Sequence, residues 1–190
     1  KTALIIGAET LSKVTDWTDR GTCVLFGDGA GAAVLKAEET GVVDMLMGSD
    51  GTKGPILSCT SRTLGNFLTG TRPELGLMTM DGQEVFRFAV KKVPESIEIL
   101  LERNHISREE IKYYVLPQAN ERIVEAAARR LKEPMEKFPM TISKYGNTSS
   151  ASIPLLLNDM AEKNMLQPGD KIILSGFGAG MTWGAVLMEW

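Results

Sequence analysis

The sequence predicts an α/β fold in which helices and strands pack in layers, and two observations support this prediction. Short apolar runs of the kind found in buried strands recur along the chain, and longer segments between them carry apolar residues at helical spacing. Segments that alternate in this way are typical of α/β layered folds. A chain of 190 residues is also long enough to enclose a substantial core as one ordinary domain.

Seven apolar runs are predicted to form strands. They cover residues 3–6, 23–26, 32–35, 42–47, 113–116, 171–174 and 183–188. The run at residues 3–6 is continuous, so we expect a strand covered on both faces. It begins without a polar lead-in, and we therefore expect the chain to be a piece of a longer protein. Residues 49–79 combine several glycines with mixed polarity, which predicts a long loop with irregular pieces.

The clearest predicted helix covers residues 81–103. Asp81 and Glu84 resemble a capping box at its start, and apolar residues then recur at helical spacing. Pro94 is expected to kink or divide this helix, because proline removes a backbone donor and clashes with the preceding turn.

Two further helices are predicted in the second half of the chain. Asn120 is suited to cap a helix that ends at Leu131. Another helix is predicted at residues 152–164, where Pro154 falls in the first turn and is tolerated.

The composition excludes several functional classes. The formal net charge is −3, from 21 Lys and Arg against 24 Asp and Glu, so nothing indicates nucleic-acid binding, although a small basic pocket could still hold an anion. Two cysteines without Cys-x-x-Cys spacing and one histidine predict neither a disulfide framework nor a metal site. No apolar run approaches the roughly 18 residues of a membrane helix, and no signal peptide is recognisable, so we expect a cytoplasmic protein.

Two glycine blocks resemble each other. Residues 25–31 read LFGDGAG and precede AAVL, whereas residues 174–180 read LSGFGAG and precede AVL after a short linker. A dinucleotide site is not predicted, because its fingerprint needs a helix directly after the glycines. We expect strand, tight glycine turn at positive φ, and strand in each block. The repetition predicts two homologous halves, with residues 1–49 ending the first, 50–80 connecting them and 81–190 forming the second.

An ordered set of motifs gives the chain a resemblance to a known family. The motifs are DWTDRGT at residues 16–22, FGDGAGAAVL at 26–35, QAN at 118–120, YGNTS at 145–149 and GFGAGMTWG at 176–184. In this order they resemble β-ketoacyl-[acyl carrier protein] synthase III over the whole chain. The resemblance implies a thiolase-like layered αβαβα fold, of which the chain would contain the end of the N-terminal half and the C-terminal half.

The resemblance also implies a chemistry. Members of this family are homodimeric acyltransferases that condense an acyl-CoA primer with malonyl-[acyl carrier protein] in type II fatty acid synthesis, without a metal or redox cofactor. A Cys with a lowered pKa takes up the acyl group as a thioester. A His and an Asn assist malonyl decarboxylation, during which hydrogen-bond donors stabilise the negative charge on the thioester oxygen.

Two residues match catalytic positions of the family. Asn147 in GNTS matches the catalytic Asn, whose amide can donate to the enolate oxygen, although an Asn beside Gly also fits a plain turn. Ala179 matches the turn whose backbone N–H contributes to the oxyanion hole, and a tight turn alone would explain its flanking glycines equally well.

Six residues match substrate-binding positions. Arg20 matches an Arg near the CoA adenine and phosphate, although an Arg in a polar run is otherwise simply solvated. The pantetheine tunnel is matched by Met80, Gly82, Phe86, Ala119 and Asn120. Met80 and Phe86 fit a core role equally well, and Asn120 also fits the helix cap.

Two departures from the family affect catalytic side chains. The family Cys lies upstream of the first residue, and neither Cys23 in an expected strand nor Cys59 in the long loop matches it. The family reads Pro-His-Gln-Ala-Asn where this chain reads Pro-Gln-Ala-Asn, which indicates a one-residue deletion between Pro117 and Gln118. His105 lies in a polar turn and cannot replace the missing His. We therefore expect either an incomplete sequence or a dead copy, inactive by itself.

Two other functions remain open. The missing Cys and His favour a non-catalytic partner that binds acyl chains or dimerises with an intact synthase. A related CoA-dependent condensing enzyme, such as a hydroxymethylglutaryl-CoA synthase or a polyketide starter synthase, would share the chemistry. GNTSSAS and GAGMTWG match the carrier-protein family more closely, and the expected partners are acyl carrier protein, acyl-CoA and a second copy of the chain.

Overall fold

The computed structural model describes residues 1–59, 65–72 and 76–190. Its strands are β1 (Thr2–Glu9), β2 (Gly29–Lys36), β3 (Val42–Ser49), β4 (Leu57–Cys59), β5 (Met78–Met80), β6 (Ile111–Val115), β7 (Lys171–Gly178) and β8 (Thr182–Glu189). Its helices are α1 (Gly82–Arg103), α2 (Glu121–Leu131), α3 (Ile142–Tyr145) and α4 (Ser152–Glu162). Helices and strands mix as predicted, and no helix in these ranges is long and apolar enough to cross a membrane.

The main sheet contains four strands in the order β3-β8-β7-β6. β7 runs parallel to β6 and antiparallel to β8, which is antiparallel to β3. Successive residues of β7 face opposite sides, since Ile173 packs with α1 and α2 while Ile172 packs with α4. Both faces of this sheet are therefore covered by helices, which is the layered arrangement that the apolar runs predicted.

α1 is capped as predicted but is not divided. The carboxylate of Asp81 accepts hydrogen bonds from the backbone N–H groups of Gln83 and Glu84, each at 3.1 Å. Pro94 is buried inside a continuous helix of 22 residues. The expectation that Pro94 divides the helix is wrong, because burial of the apolar face of α1 outweighs one lost backbone hydrogen bond.

β1 and β2 form a separate two-stranded antiparallel sheet. The expectation of a strand covered on both faces is not met in this structure, since Leu4 and Ile6 are each 62% exposed. An apolar run predicts the strand itself correctly, but the covering layers depend on which other segments pack against it.

Residues 23–26 form a turn rather than the predicted strand. The backbone N–H groups of Cys23 and Leu25 bond back to the carbonyls of Asp19 and Thr22, both at 3.0 Å. These local bonds use donors that a strand would offer to a neighbour. Only Phe26 makes a strand-like contact, an isolated parallel bridge to Asn147.

β3 belongs to the main sheet rather than to the sheet of β1 and β2. β3 pairs with β8, and the guanidinium of Arg103 holds Asp44 through two bonds of 2.6 and 2.7 Å. The change of sheet therefore falls between β2 and β3. The division of the chain at residues 49 and 80 stays a prediction.

Glycines of the first block and of β1 serve close packing rather than turns. A Cβ on Gly31 would lie 2.6 Å from the Cβ of Pro154, and one on Gly7 would lie 2.5 Å from the Ser150 carbonyl oxygen. The two strands thus rest directly on the start of α4. The expected positive φ occurs only in the second block, where Gly180 has φ +132. The second block alone forms the predicted strand–turn–strand unit.

We predict that Gly31→Ala lowers the free energy of unfolding by about 1–3 kcal/mol, because the new methyl group overpacks the contact with Pro154. Urea denaturation of both proteins measures the change. Gly51→Ala is the matched control, since a Cβ there meets no atom within 4 Å. Equal unfolding midpoints for the two variants would contradict the close-packing role of Gly31.

Candidate active site

A cavity of about 1120 Å³ brings most of the predicted site residues together. Its walls come from the turn at residues 25–26, the β4–β5 ladder, the start of α1 and the β7–β8 turn. Seven of the eight predicted residues line it: Met80, Gly82, Phe86, Ala119, Asn120, Asn147 and Ala179. Arg20 is exposed and does not line the cavity, although its neighbour Gly21 does.

Asn147 is fixed through its backbone and one side of its amide. Its N–H donates to the Leu25 carbonyl, and its own carbonyl accepts from the Gly27 N–H, both at 2.9 Å. Its side-chain Oδ1 accepts from the Ser149 N–H at 3.0 Å. Among the described residues no group accepts from Nδ2, so this N–H donor remains available to a ligand in the cavity.

The one-turn helix α3, which precedes Asn147, is anchored to α4. The carboxylate of Asp159 accepts from the hydroxyl of Tyr145 at 2.9 Å and from Lys144 Nζ at 3.1 Å. The hydrogen bond from Lys144, followed by that from Tyr145, holds the pKa of Asp159 below its ordinary value. The Lys144 pKa is raised by its contacts with Tyr145 and then Asp159. α3 is thereby clamped two residues before Asn147.

The turn that carries Ala179 connects β7 and β8. The Ala179 carbonyl accepts from the Thr182 hydroxyl at 3.1 Å. Behind the turn, the backbones of Asp50 and Met181 exchange two hydrogen bonds of 2.8 and 2.9 Å, and the Met181 side chain is buried. These contacts fix the turn at the cavity wall, which Ala179 lines together with Gly178.

The tunnel residues fit both of their alternative roles. Met80 and Phe86 are half-buried, and Met80 also packs against the cluster of Val85, Phe88 and Met181. Asn120 caps α2, because its Oδ1 accepts from the Arg122 N–H at 2.9 Å, and it lines the cavity as well.

The two cysteines and the histidine lie in three separate places. Cys59 lines the cavity, which its sequence context did not indicate, and its thiol donates to the Gly76 carbonyl at 3.4 Å. Cys23 is half-buried in a turn, and His105 is exposed beyond the end of α1. In residues 1–59, 65–72 and 76–190, no group of three His, Cys, Asp or Glu is arranged to hold a metal.

Several cavity residues were not predicted from the sequence. Leu25 and Phe26 line the cavity because the turn at residues 23–26 packs beside GNTS. The adjacent FGDGAG motif was a signal for this wall, but its glycines were assigned to a tight turn. The QAN motif gives no signal for a separate role of Gln118, whose side chain is buried next to the cavity wall.

Comparisons with known proteins point to one family. The family model of 3-oxoacyl-[acyl-carrier-protein] synthase III matches residues 1–51, and the model of its C-terminal part matches residues 101–190. The β-ketoacyl-[acyl-carrier-protein] synthase III of Clostridium novyi is 50% identical over 192 residues, covering all of this chain and 59% of that protein. A crystal structure of the synthase III from Thermus thermophilus shares 40% identity with a TM-score of 0.89, over all of this chain and 59% of that one.

The expected deletion between Pro117 and Gln118 stays a prediction. The Clostridium kluyveri synthase III matches 190 residues at 45% identity, and this match covers the whole chain and 59% of that protein. The His that the resemblance implies is missing before Gln118, and Pro117 offers no side-chain donor or base there. The α2 helix begins after its cap at Asn120.

We predict that Asp159→Asn lowers the free energy of unfolding at pH 7 and lowers it less at pH 3. Because the pKa of Asp159 lies below its ordinary 3.8 in the folded protein, the unfolded chain takes up the proton first on acidification. The stabilisation is present above pH 3.8 and is lost as the pH falls through the lowered folded pKa. Urea midpoints at both pH values measure this, with the exposed Glu39→Gln as control. A difference between wild type and Asp159→Asn that is equal at both pH values would contradict it.

The family assignment rests on agreement between sequence and fold. The two family models together cover about three quarters of the chain. The TM-score of 0.89 to a synthase III structure confirms the thiolase-like fold that the motifs implied. The chain spans about three fifths of the length of the relatives it matches. The chain belongs to the 3-oxoacyl-[acyl-carrier-protein] synthase III family.

Proposed function

We propose that the protein containing this chain is an acyltransferase that condenses an acyl-CoA primer with malonyl-[acyl carrier protein] to give 3-oxoacyl-[acyl carrier protein]. One observation carries the proposal: the amide of Asn147 and the turn of Ala179 line the same cavity as the tunnel residues. Two donors of different origin thus border one space large enough for a thioester. The close relatives bear the name of this activity.

In the proposed chemistry, residues of this chain stabilise the enolate that forms from the malonyl group. Decarboxylation breaks the bond to the malonyl carboxylate, CO₂ leaves, and the electron pair moves onto the thioester oxygen. Asn147 Nδ2 and the Ala179 N–H donate to that oxygen. The enolate carbon then attacks the acyl thioester of the enzyme, a carbon–carbon bond forms, and the Cys thiolate leaves. We assign this Cys to a part of the protein outside the present sequence.

The tunnel residues are proposed to hold the pantetheine arm. Met80 and Phe86 offer half-buried apolar surface, whereas the Asn120 amide offers polar contacts to the arm. Arg20 is exposed beside Gly21 at the cavity edge, where a guanidinium can pair with the phosphates of CoA. As proposed, the reaction needs no metal or redox cofactor.

Further parts of the proposal concern the setting of the enzyme. We expect acyl carrier protein to deliver the malonyl group, and we expect a homodimer in the cytoplasm. The exposed apolar residues of β1 and β2, among them Leu4 and Ile6, favour an assembly in which additional polypeptide covers this sheet. Sedimentation of the native protein measures its oligomeric state.

Pro117 favours a second candidate function. It lines the cavity immediately before Gln118, and its ring can neither donate a hydrogen bond nor accept a proton. A site that keeps its binding walls but lacks this donor suits a non-catalytic protein that holds an acyl thioester or dimerises with an intact synthase. The effect of replacing Pro117 by His separates the two functions.

We predict that the 190-residue chain alone forms no acetoacetyl-[acyl carrier protein] from acetyl-CoA and malonyl-[acyl carrier protein]. A chimera that joins the preceding segment of the Clostridium novyi relative to this chain supplies a Cys nucleophile and should form product, detected by mass spectrometry. In this chimera Asn147→Ala should lower kcat by about 10²–10³-fold, since one oxyanion donor is lost. The exposed Asn158→Ala is the control. Turnover by the chain alone, or an unchanged kcat in Asn147→Ala, would overturn the assignment.

We predict that Pro117→His raises kcat of the same chimera by about 10²-fold or more, because it adds an acid–base group or donor at the cavity wall. Ser58→His, on the β4 wall of the same cavity, controls for a histidine at an unrelated position. A chimera that stays inactive in both forms, yet binds acetyl-pantetheine, would favour the non-catalytic function.

A further inference from the structure

Gln118 lies between residues of the cavity wall in sequence, but its own side chain does not line the cavity and forms hydrogen bonds to other parts of the chain. Pro117, Ala119 and Asn120 line the cavity, whereas Gln118 is 2% exposed. Its Nε2 donates to the Leu116 carbonyl at 3.0 Å, which fixes the orientation of the amide group. Its Oε1 is therefore directed to a different pair of partners.

The partners of Oε1 are two backbone N–H groups at the start of α3. Thr141 donates at 2.7 Å and Ile142 at 3.1 Å. Thr141 is buried, so its N–H would lose its hydrogen bond without access to water if Gln118 were removed. One side chain thus connects the wall at residues 117–120 to the helix that leads into Asn147.

The position of Asn147 depends on the first residues of α3, because α3 is short and ends just before Asn147. It is a single helical turn, closed by Tyr145 N–H to Thr141 carbonyl at 3.0 Å and Gly146 N–H to Ile142 carbonyl at 2.8 Å. A displacement at its start therefore moves Gly146 and the catalytic candidate beyond it. Asp159 fixes the opposite end of this turn through Tyr145.

We propose that Gln118 is a positioning residue that sets the place of the Asn147 amide relative to the wall at residues 117–120. The inference rests on the proposed function of Asn147 as the enolate donor. Gln118 acts through α3 and does not itself line the cavity. An oxyanion donor is effective only when it is held at hydrogen-bond distance before the charge develops, and the Gln118 bridge supplies that preorganisation.

The chemistry of the bridge requires an amide of this length. A Gln side chain offers an acceptor to the Thr141 and Ile142 N–H groups and a donor to the Leu116 carbonyl at the same time. Glu keeps the acceptor and loses the donor, whereas Met keeps the approximate volume and loses both. Asn carries the same groups but is one carbon shorter. These three replacements therefore separate volume, acceptor and reach.

The test compares Gln118→Met and Gln118→Glu in the chimera with the preceding segment of the Clostridium novyi relative, by ¹H–¹⁵N NMR of the Asn147 side-chain amide. We expect this signal to shift and broaden in Gln118→Met and to stay near its wild-type position in Gln118→Glu, which retains the acceptor. The matched control is Ser96→Ala. Ser96 is also buried, and its hydroxyl donates to the Lys92 carbonyl at 2.7 Å, but it does not line the cavity. Binding of acetyl-pantetheine should weaken about fivefold in Gln118→Met.

The outcomes separate Gln118 from the proposed function. An Asn147 signal that is unmoved in Gln118→Met, or moved equally by Ser96→Ala, overturns the positioning role. If the chimera with Gln118 intact binds no acetyl-pantetheine, the proposed function fails, while the amide comparison still decides the role of Gln118. Should Gln118→Met not fold, as judged by thermal unfolding, Gln118→Asn takes its place, and the same shift of the Asn147 signal is expected.

Discussion

The bridge between Phe26 and Asn147 is the contact on which the candidate site depends. Two hydrogen bonds of 2.9 Å join the turn at residues 25–27 to the backbone of Asn147. A side chain on Gly27 would collide with the Tyr145 carbonyl, so the approach requires glycine at this position. The start of the first glycine block thereby forms a wall of the cavity and holds the backbone of Asn147. The β1–β2 sheet packs against α4 through the same region of the chain.

The donor side of the cavity is rigid because three independent contacts converge on residues 141–147. Asp159 holds the end of α3, Gln118 holds its beginning, and the bridge to residues 25–27 holds the backbone that follows. Each contact is a directional hydrogen bond, so it fixes the geometry of residues 141–147 and also stabilises the fold. The opposite wall, the Ala179 turn, is fixed separately through the backbone of Met181 and Asp50.

Pro117 adds no hydrogen-bonding side chain to the cavity, whereas Asn147 and Asn120 do. The walls that would hold a thioester are intact, and the Asn147 amide is presented to the cavity. The His that the family resemblance implies before Gln118 is missing, and Pro117 contributes only an apolar ring there. In the proposed function, binding of the thioester and stabilisation of its charge are assigned to different residues. α2 keeps its cap at Asn120 beside this place.

The sequence by itself determined the family, the α/β class, most strands, the three main helices with their caps at Asp81 and Asn120, and seven of the residues that line one cavity. Such features depend on local periodicity, capping chemistry and motif order, all of which can be read along the chain. Only the tertiary structure decided that residues 23–26 form a turn, that β3 joins β8, and that Gln118 bridges two walls. These depend on which backbone donors and acceptors meet across long sequence separations, and a buried amide such as that of Gln118 has no sequence signature beyond its residue type.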